Sequence, residues 1–163
     1  MDHVDKIIES WHQERPDLNV EAMEVIGRIK QVSQYFVREM DKTLSIHNLN
    51  GASFDVLATL RRSGKPYGLS PSDLIASTMV TSGTMTNRID QLVKIGLVGR
   101  TPNPADARGF IVTLTAEGFE LIDRVLNDHV KTQNELTALL TNVEKKSLNS
   151  LLRKILSNTE SLK

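Results

Sequence analysis

The fold is decided between residues 70 and 98: Ser70-Pro71-Ser72-Asp73-Leu74-Ile75-Ala76-Ser77-Thr78-Met79-Val80-Thr81-Ser82-Gly83-Thr84-Met85-Thr86-Asn87-Arg88-Ile89-Asp90-Gln91-Leu92-Val93-Lys94-Ile95-Gly96-Leu97-Val98. Ser70 is an N-cap, Pro71 suits the first helical position, and Asp73 places an acid in the positive first turn. The body Leu74-Ile75-Ala76 is short. After about three residues of turn, Thr81 caps a second helix. Met85, Ile89, Leu92 and Val93 fall on one face at helical spacing, and Gly96 suits a left-handed stop. The period then changes. Leu97-Val98-Gly99-Arg100-Thr101 and Gly109-Phe110-Ile111-Val112-Thr113-Leu114 are β-rich runs flanking Pro102–Arg108, which predicts a two-stranded hairpin with an exposed tip. Two helices joined by a short turn and followed at once by a hairpin form a winged helix-turn-helix.

Working outward, Val4, Ile7, Ile8 and Trp11 mark a short amphipathic helix that Pro16 terminates. Met23, Ile26, Ile29, Val32, Phe36 or Val37, Met40 and Leu44 predict a long helix from about Val20 to His47, stopping before the Asn50-Gly51 turn signal. Phe54, Leu57 and Leu60 mark a short helix ending near Ser63-Gly64. Thr115 caps a long helix reaching Leu140, and Thr141-Asn142-Val143-Glu144 is a capping box opening a last helix with Leu148, Leu151, Leu152 and Ile155. The predicted fold is mainly α with a small β-hairpin wing, divided into N-terminal helices (1–48), a winged helix-turn-helix DNA-binding domain (49–115) and C-terminal helices (116–163). The outer helices keep apolar stripes that so small a central domain cannot cover. A homodimer built from the two chain ends is therefore expected.

Composition excludes several classes. The chain of 163 residues has 39% hydrophobic and 25% charged residues, as a globular protein does. No apolar run reaches the roughly 18 residues of a membrane span, and Met1-Asp2-His3-Val4-Asp5 lacks the start of a secretory signal. With no cysteine there are no disulfides or thiolate metal sites. A cytoplasmic protein is the expectation. The net charge of zero hides a pattern: residues 61–108 hold 7 basic and 3 acidic side chains, against 6 and 10 in residues 1–60 and 7 of each in residues 109–163. Only the middle stretch suits a polyanion.

Catalytic motifs are missing: no G-x-S-x-G, H-E-x-x-H, phosphate loop or G-x-G-x-x-G occurs. No enzyme activity and no cofactor are expected. His3, His12, His47 and His129 are scattered over four segments, so no metal site is expected, and one assembled only in a dimer stays open. The second helix of the pair is more informative. Thr81, Ser82, Gly83, Thr84, Thr86, Asn87 and Arg88 form its polar face. Small hydroxyls allow close approach to a major groove and donate to phosphates, while Asn and Arg match adenine and guanine edges. At the wing tip, Arg108 suits a minor groove and Asp106 can hold its guanidinium. Ser70 and Ser72, at the start of the first helix, complete the expected set of contacts to double-stranded DNA.

These residues resemble the MarR family of bacterial transcriptional regulators over nearly the whole chain. The resemblance rests on Phe54-Asp55-Val56-Leu57-Ala58-Thr59-Leu60, Leu69–Leu74, Ser82–Asp90 with Gly96-Leu97-Val98, and Asp106-Ala107-Arg108-Gly109 with Leu114-Thr115-Ala116-Glu117-Gly118. It implies a homodimer of winged-helix subunits that represses transcription at a pseudo-palindrome and is released by small anionic or phenolic ligands. Trp11 and the Glu14–Leu18 segment are similar to the urate-responsive branch, whose ligand residues map to Trp11, Asp55, Arg88 and Arg100. Gly99 and Val93 depart from the acids common in relatives, and the wing carries two arginines only. Two other readings stay open: a helical protein–protein adaptor without DNA binding, and an enzyme acting on a small acid through Arg88 and Arg100, for which no activated base is evident. Trp11 packed as a core residue, with Asp55 paired for stability, is the alternative to the ligand site.

Overall fold

A computed structural model describes residues 1–78 and 82–160, with the side chains of 82–84, 107–108 and 159–160 excepted. Its elements in chain order are α1 (His3–Glu14), α2 (Glu21–Ile46), α3 (Gly51–Arg62), β1 (Gly68–Leu69), α4 (Pro71–Ser77), α5 (Ser82–Lys94), β2 (Val98–Asn103), β3 (Asp106–Leu114), α6 (Ala116–Leu136) and α7 (Asn142–Glu160). Contacts divide the chain into two compact units, Met1–Lys42 and Thr43–Lys163. No helix among the described residues is long and apolar enough to cross a membrane.

In the first unit, α1 packs on α2 through Val4, Ile8 and Val20, with Leu18 beside them. Asp2 and Asp5 form a capping box at the start of α1. Arg28 of α2 reaches both carboxylates and that of Glu24, which fixes the beginning of α1 along α2. The cap bond from the Asp5 amide, and then the Arg28 guanidinium, hold the Asp2 carboxyl below its usual range.

The second unit has one core. Leu57 and Leu60 of α3, Leu74 of α4, Met85, Ile89 and Leu92 of α5, Val98 and Val112 of the sheet, and Ile122 and Val125 of α6 are all buried in it. Local sequence sets the element ends. Ser70 Oγ accepts the Asp73 amide at 3.2 Å and so caps α4. Gly96, at φ +79°, ends α5 in the left-handed region open to glycine. Thr115 Oγ1 accepts the Gly118 amide at 3.0 Å and donates to the Gly96 carbonyl at 2.8 Å, so one hydroxyl joins the end of α5 to the start of α6. Gly118 lets α6 approach so closely that a Cβ there would overlap the Leu97 carbonyl. The Thr141–Glu144 box is present: the Glu144 amide donates to Thr141 Oγ1 at 3.3 Å and the Thr141 amide to Glu144 Oε2 at 2.7 Å.

Four details depart from the sequence reading. The sheet has three antiparallel strands, ordered β1-β3-β2, because Gly68-Leu69 pairs with Val112-Thr113. A two-residue strand containing glycine carries no β signal of its own. The hairpin is longer at its tip: β2 runs to Asn103 and β3 starts at Asp106, with an irregularity between Pro102 and Asn103 where proline has no amide to give. Asn50, read as part of a turn, caps α3 by accepting the Ser53 amide at 3.0 Å. Finally, α6 ends at Leu136 rather than Leu140. Beyond it the Ala138 and Leu140 amides donate to carbonyls three residues back, and this tighter winding closes the helix.

Candidate nucleic-acid interface and effector site

The amphipathic spacing of α5 fixes which residues it presents. Met85, Ile89 and Leu92 enter the core, which leaves Thr86 and Asn87 exposed on the opposite side. Thr81, the expected cap, lies outside the described residues, as do the side chains of Ser82, Thr84 and Arg108; Gly83 is on the α5 backbone. Ser70 has its hydroxyl committed to the α4 cap and to Asp73 Oδ2 at 2.7 Å, while Ser72 is exposed with its hydroxyl 3.1 Å from that of Ser70. At the wing turn, Asn103 Oδ1 accepts the Ala105 amide at 3.0 Å. The Asp106 carboxylate lies over Gly109, where a Cβ would stand 3.2 Å from its Oδ2.

Arg88 and Arg100 both tie into α5, by different routes. Arg88 Nη1 donates to Gln91 Oε1 at 2.8 Å and to Ser53 Oγ at 3.3 Å. Ser53, in the first turn of α3, is 7% exposed. Arg88 Nε is buried and has no hydrogen-bond partner. A half-exposed guanidinium with one N–H still open has donor capacity for an anion. Asp55 is half-buried two residues beyond Ser53, and residues at that spacing point to different sides of a helix. Ser53 is an α3 group that meets Arg88. Arg100 on β2 donates to the Asp90 carboxylate, and its guanidinium lies 4.6 Å from the centre of the Phe110 ring. Trp11 belongs to the first unit, where it is 39% exposed and outside the Val4, Ile8, Val20 core.

Sequence reasoning did not single out Ser53 or Asp90. A signal for Asp90 existed, since the chain reverses at Gly96 and brings a position before the stop alongside one after it. For Ser53 none existed, because its contact to Arg88 spans 35 residues and depends on how α3 and α5 pack. Among the described residues no group of three or more His, Asp or Glu could hold a metal. His47 Nε2 pairs with Asp128 at 2.9 Å, and the His129 ring stacks on Phe54 with centroids 4.3 Å apart.

Paired helices α4 and α5, the second showing a polar face, with a sheet that ends in a hairpin wing, define a winged helix-turn-helix transcriptional regulator. The chain belongs to the MarR family. A family model described as MarR family matches residues 47–109. The transcriptional regulator PecS of Dickeya dadantii (strain 3937) is 41% identical over 152 residues, covering 93% of this chain and 92% of that one. Among solved structures, a mutant MarR from E. coli complexed with operator DNA has a TM-score of 0.74 and 32% identity, covering 84% of this chain and 97% of that one. Bordetella bronchiseptica BpsR, in a structure concerned with regulation of its DNA binding by 6-hydroxynicotinic acid, has a TM-score of 0.72 and 27% identity over 80% and 91% of the two chains. The family and these relatives are transcriptional regulators, not enzymes.

Proposed function

We propose that this DNA-binding transcriptional regulator is a repressor acting as a homodimer on a pseudo-palindromic operator, and that a small anionic or phenolic ligand releases it. The carrying observation lies on α5, which we read as having two duties. Its outer side offers Thr86 and Asn87, whose amide suits an adenine edge, and beside them half-exposed Arg88 turns a buried, unpartnered Nε towards the protein. DNA bound to mutant MarR in its solved structure supports the first duty. An aromatic acid regulating BpsR supports the second. Arg100 is the other ligand residue; an anion there shares the guanidinium with Asp90 and so acts on the link between α5 and the wing strand. Release is then linkage, in which the ligand favours an arrangement of α5 that DNA does not. Asp55 remains part of the proposed ligand set, and urate is the first ligand to try.

Selection from a pool of randomised duplexes tests the DNA reading. Recovered sites should be pseudo-palindromic, with half-site centres about 10 bp apart. Recovery of single, unpaired half-sites would overturn the dimeric reading. Urate and salicylate are then titrated separately onto the complex with a recovered duplex. Either ligand should release DNA at up to millimolar concentration, Arg88→Ala should abolish that release, and fluorescence of Trp11, the single tryptophan, reports whether α1 senses the ligand. If neither ligand releases DNA, or if Arg88→Ala responds like the parent, this assignment of the effector site is wrong while DNA binding stands.

A further inference from the structure

Arg61, at the end of α3, sits in a cluster that neither the core nor the α5 surface requires. Its Nε donates to Asp123 Oδ1 of α6 at 2.7 Å and its Nη2 to Oδ2 at 3.3 Å, a two-pronged carboxylate contact. The guanidinium carbon lies 4.5 Å from the centre of the Phe119 ring and 5.3 Å from that of Tyr67. The two rings contact each other at 5.0 Å. Tyr67 immediately precedes β1 and takes a left-handed φ of +59°. A non-glycine residue holds that conformation only where its surroundings fix it. Its carbonyl accepts the Leu114 amide at 3.2 Å, at the end of β3 nearest the helices. One side chain therefore joins α3, α6 and the root of the wing.

We propose that Arg61 is a positioning residue for DNA binding, which sets the direction of the wing by clamping Tyr67 at the wing root between α3 and α6. The proposal rests on the reading that the wing touches DNA through Arg108. Lysine keeps the charge and a bond to Asp123 but loses the planar group that lies over both rings, so Arg61→Lys isolates the clamp.

The test is a double-mutant cycle on the full chain, using a mixed-sequence duplex of about 30 bp, three helical turns. Arg61→Lys should weaken binding about threefold, and Phe119→Leu by a similar factor. With Arg108→Ala already present, Arg61→Lys should cost no more than about twofold, the limit within which independent effects are resolved. Hydrogen exchange gives a second readout. The Leu114 amide should exchange at least about tenfold faster in Arg61→Lys, while the Ile122 and Val125 amides inside α6 keep their rates. Losses that multiply in the double variant, or an exchange increase spread evenly along α6, would show that Arg61 only stabilises the fold. Unchanged affinity in Arg61→Lys where Arg108→Ala binds weakly would refute the clamp alone. Unchanged affinity in Arg108→Ala would remove the wing reading and the clamp with it.

Discussion

At the scale of single residues, two side-chain environments make direct predictions. Gly118 faces the Leu97 carbonyl with no room for a Cβ, so Gly118→Ala must push α6 away from the entry to β2. Forcing extra atoms into a packed contact costs about 1–3 kcal/mol, which denaturant unfolding at unchanged m-value measures. His129 provides the pH dependence. Burial against Phe54 lowers its pKa below 6.5, and its Nδ1 is buried without a hydrogen-bond partner. The folded state therefore prefers the neutral ring. The stability this contributes is present above the unfolded value of 6.5 and is lost as pH falls through it towards the folded value. The melting temperature should drop as pH falls through about 6.5, and His129→Phe should flatten that drop. A variant that keeps the full drop would show that its origin lies outside His129.

Among elements, what was legible depended on how far along the chain each determining contact reached. The caps at Ser70, Thr115 and Thr141 could be read because each side chain bonds an amide three residues on, so the signal sits inside one turn. Apolar spacing located α2 and α5, and β-rich runs located β2 and β3, for the same reason. By contrast, β1 has two residues and exists only because β3 lies beside it. The clamp from Arg61 to Asp123 spans 62 residues, and the contact from Arg88 to Ser53 spans 35, so neither leaves a local trace. In the proposed effector site, Arg88 and Arg100 could be read as cations on α5 and the wing strand, with the ligand role coming from the family resemblance, but the groups they meet could not. A local prediction follows from the hydroxyl shared by two helix ends: Thr115→Ala should cost about 1 kcal/mol or somewhat more, since it loses the cap and the bond to Gly96. Thr115→Ser should recover most of it. An alanine variant as stable as the parent would show that water replaces both bonds.

For the whole molecule, the unfilled requirement is cover for apolar surface. On α7, Leu148, Leu151 and Ile155 follow one another at helical spacing, and Leu151 is 61% exposed. On α2, Val25, Ile29 and Val32 repeat the pattern. A second copy that covers them needs an interface of at least about 2,000 Å², the scale of obligate dimers. Sedimentation should give a dimer at micromolar concentration, and Leu151→Asp with Ile155→Asp should shift it to smaller or aggregated species. A monodisperse parent monomer would contradict the dimer. The proposed division of labour along α5 has a consequence for engineering. If α5 carries both the address, in Asn87, and the trigger, in Arg88, as different side chains of one rod, changing Asn87 should redirect the protein to a new promoter and leave its chemical sense intact. A small panel of such variants could wire one metabolite signal to several genetic outputs.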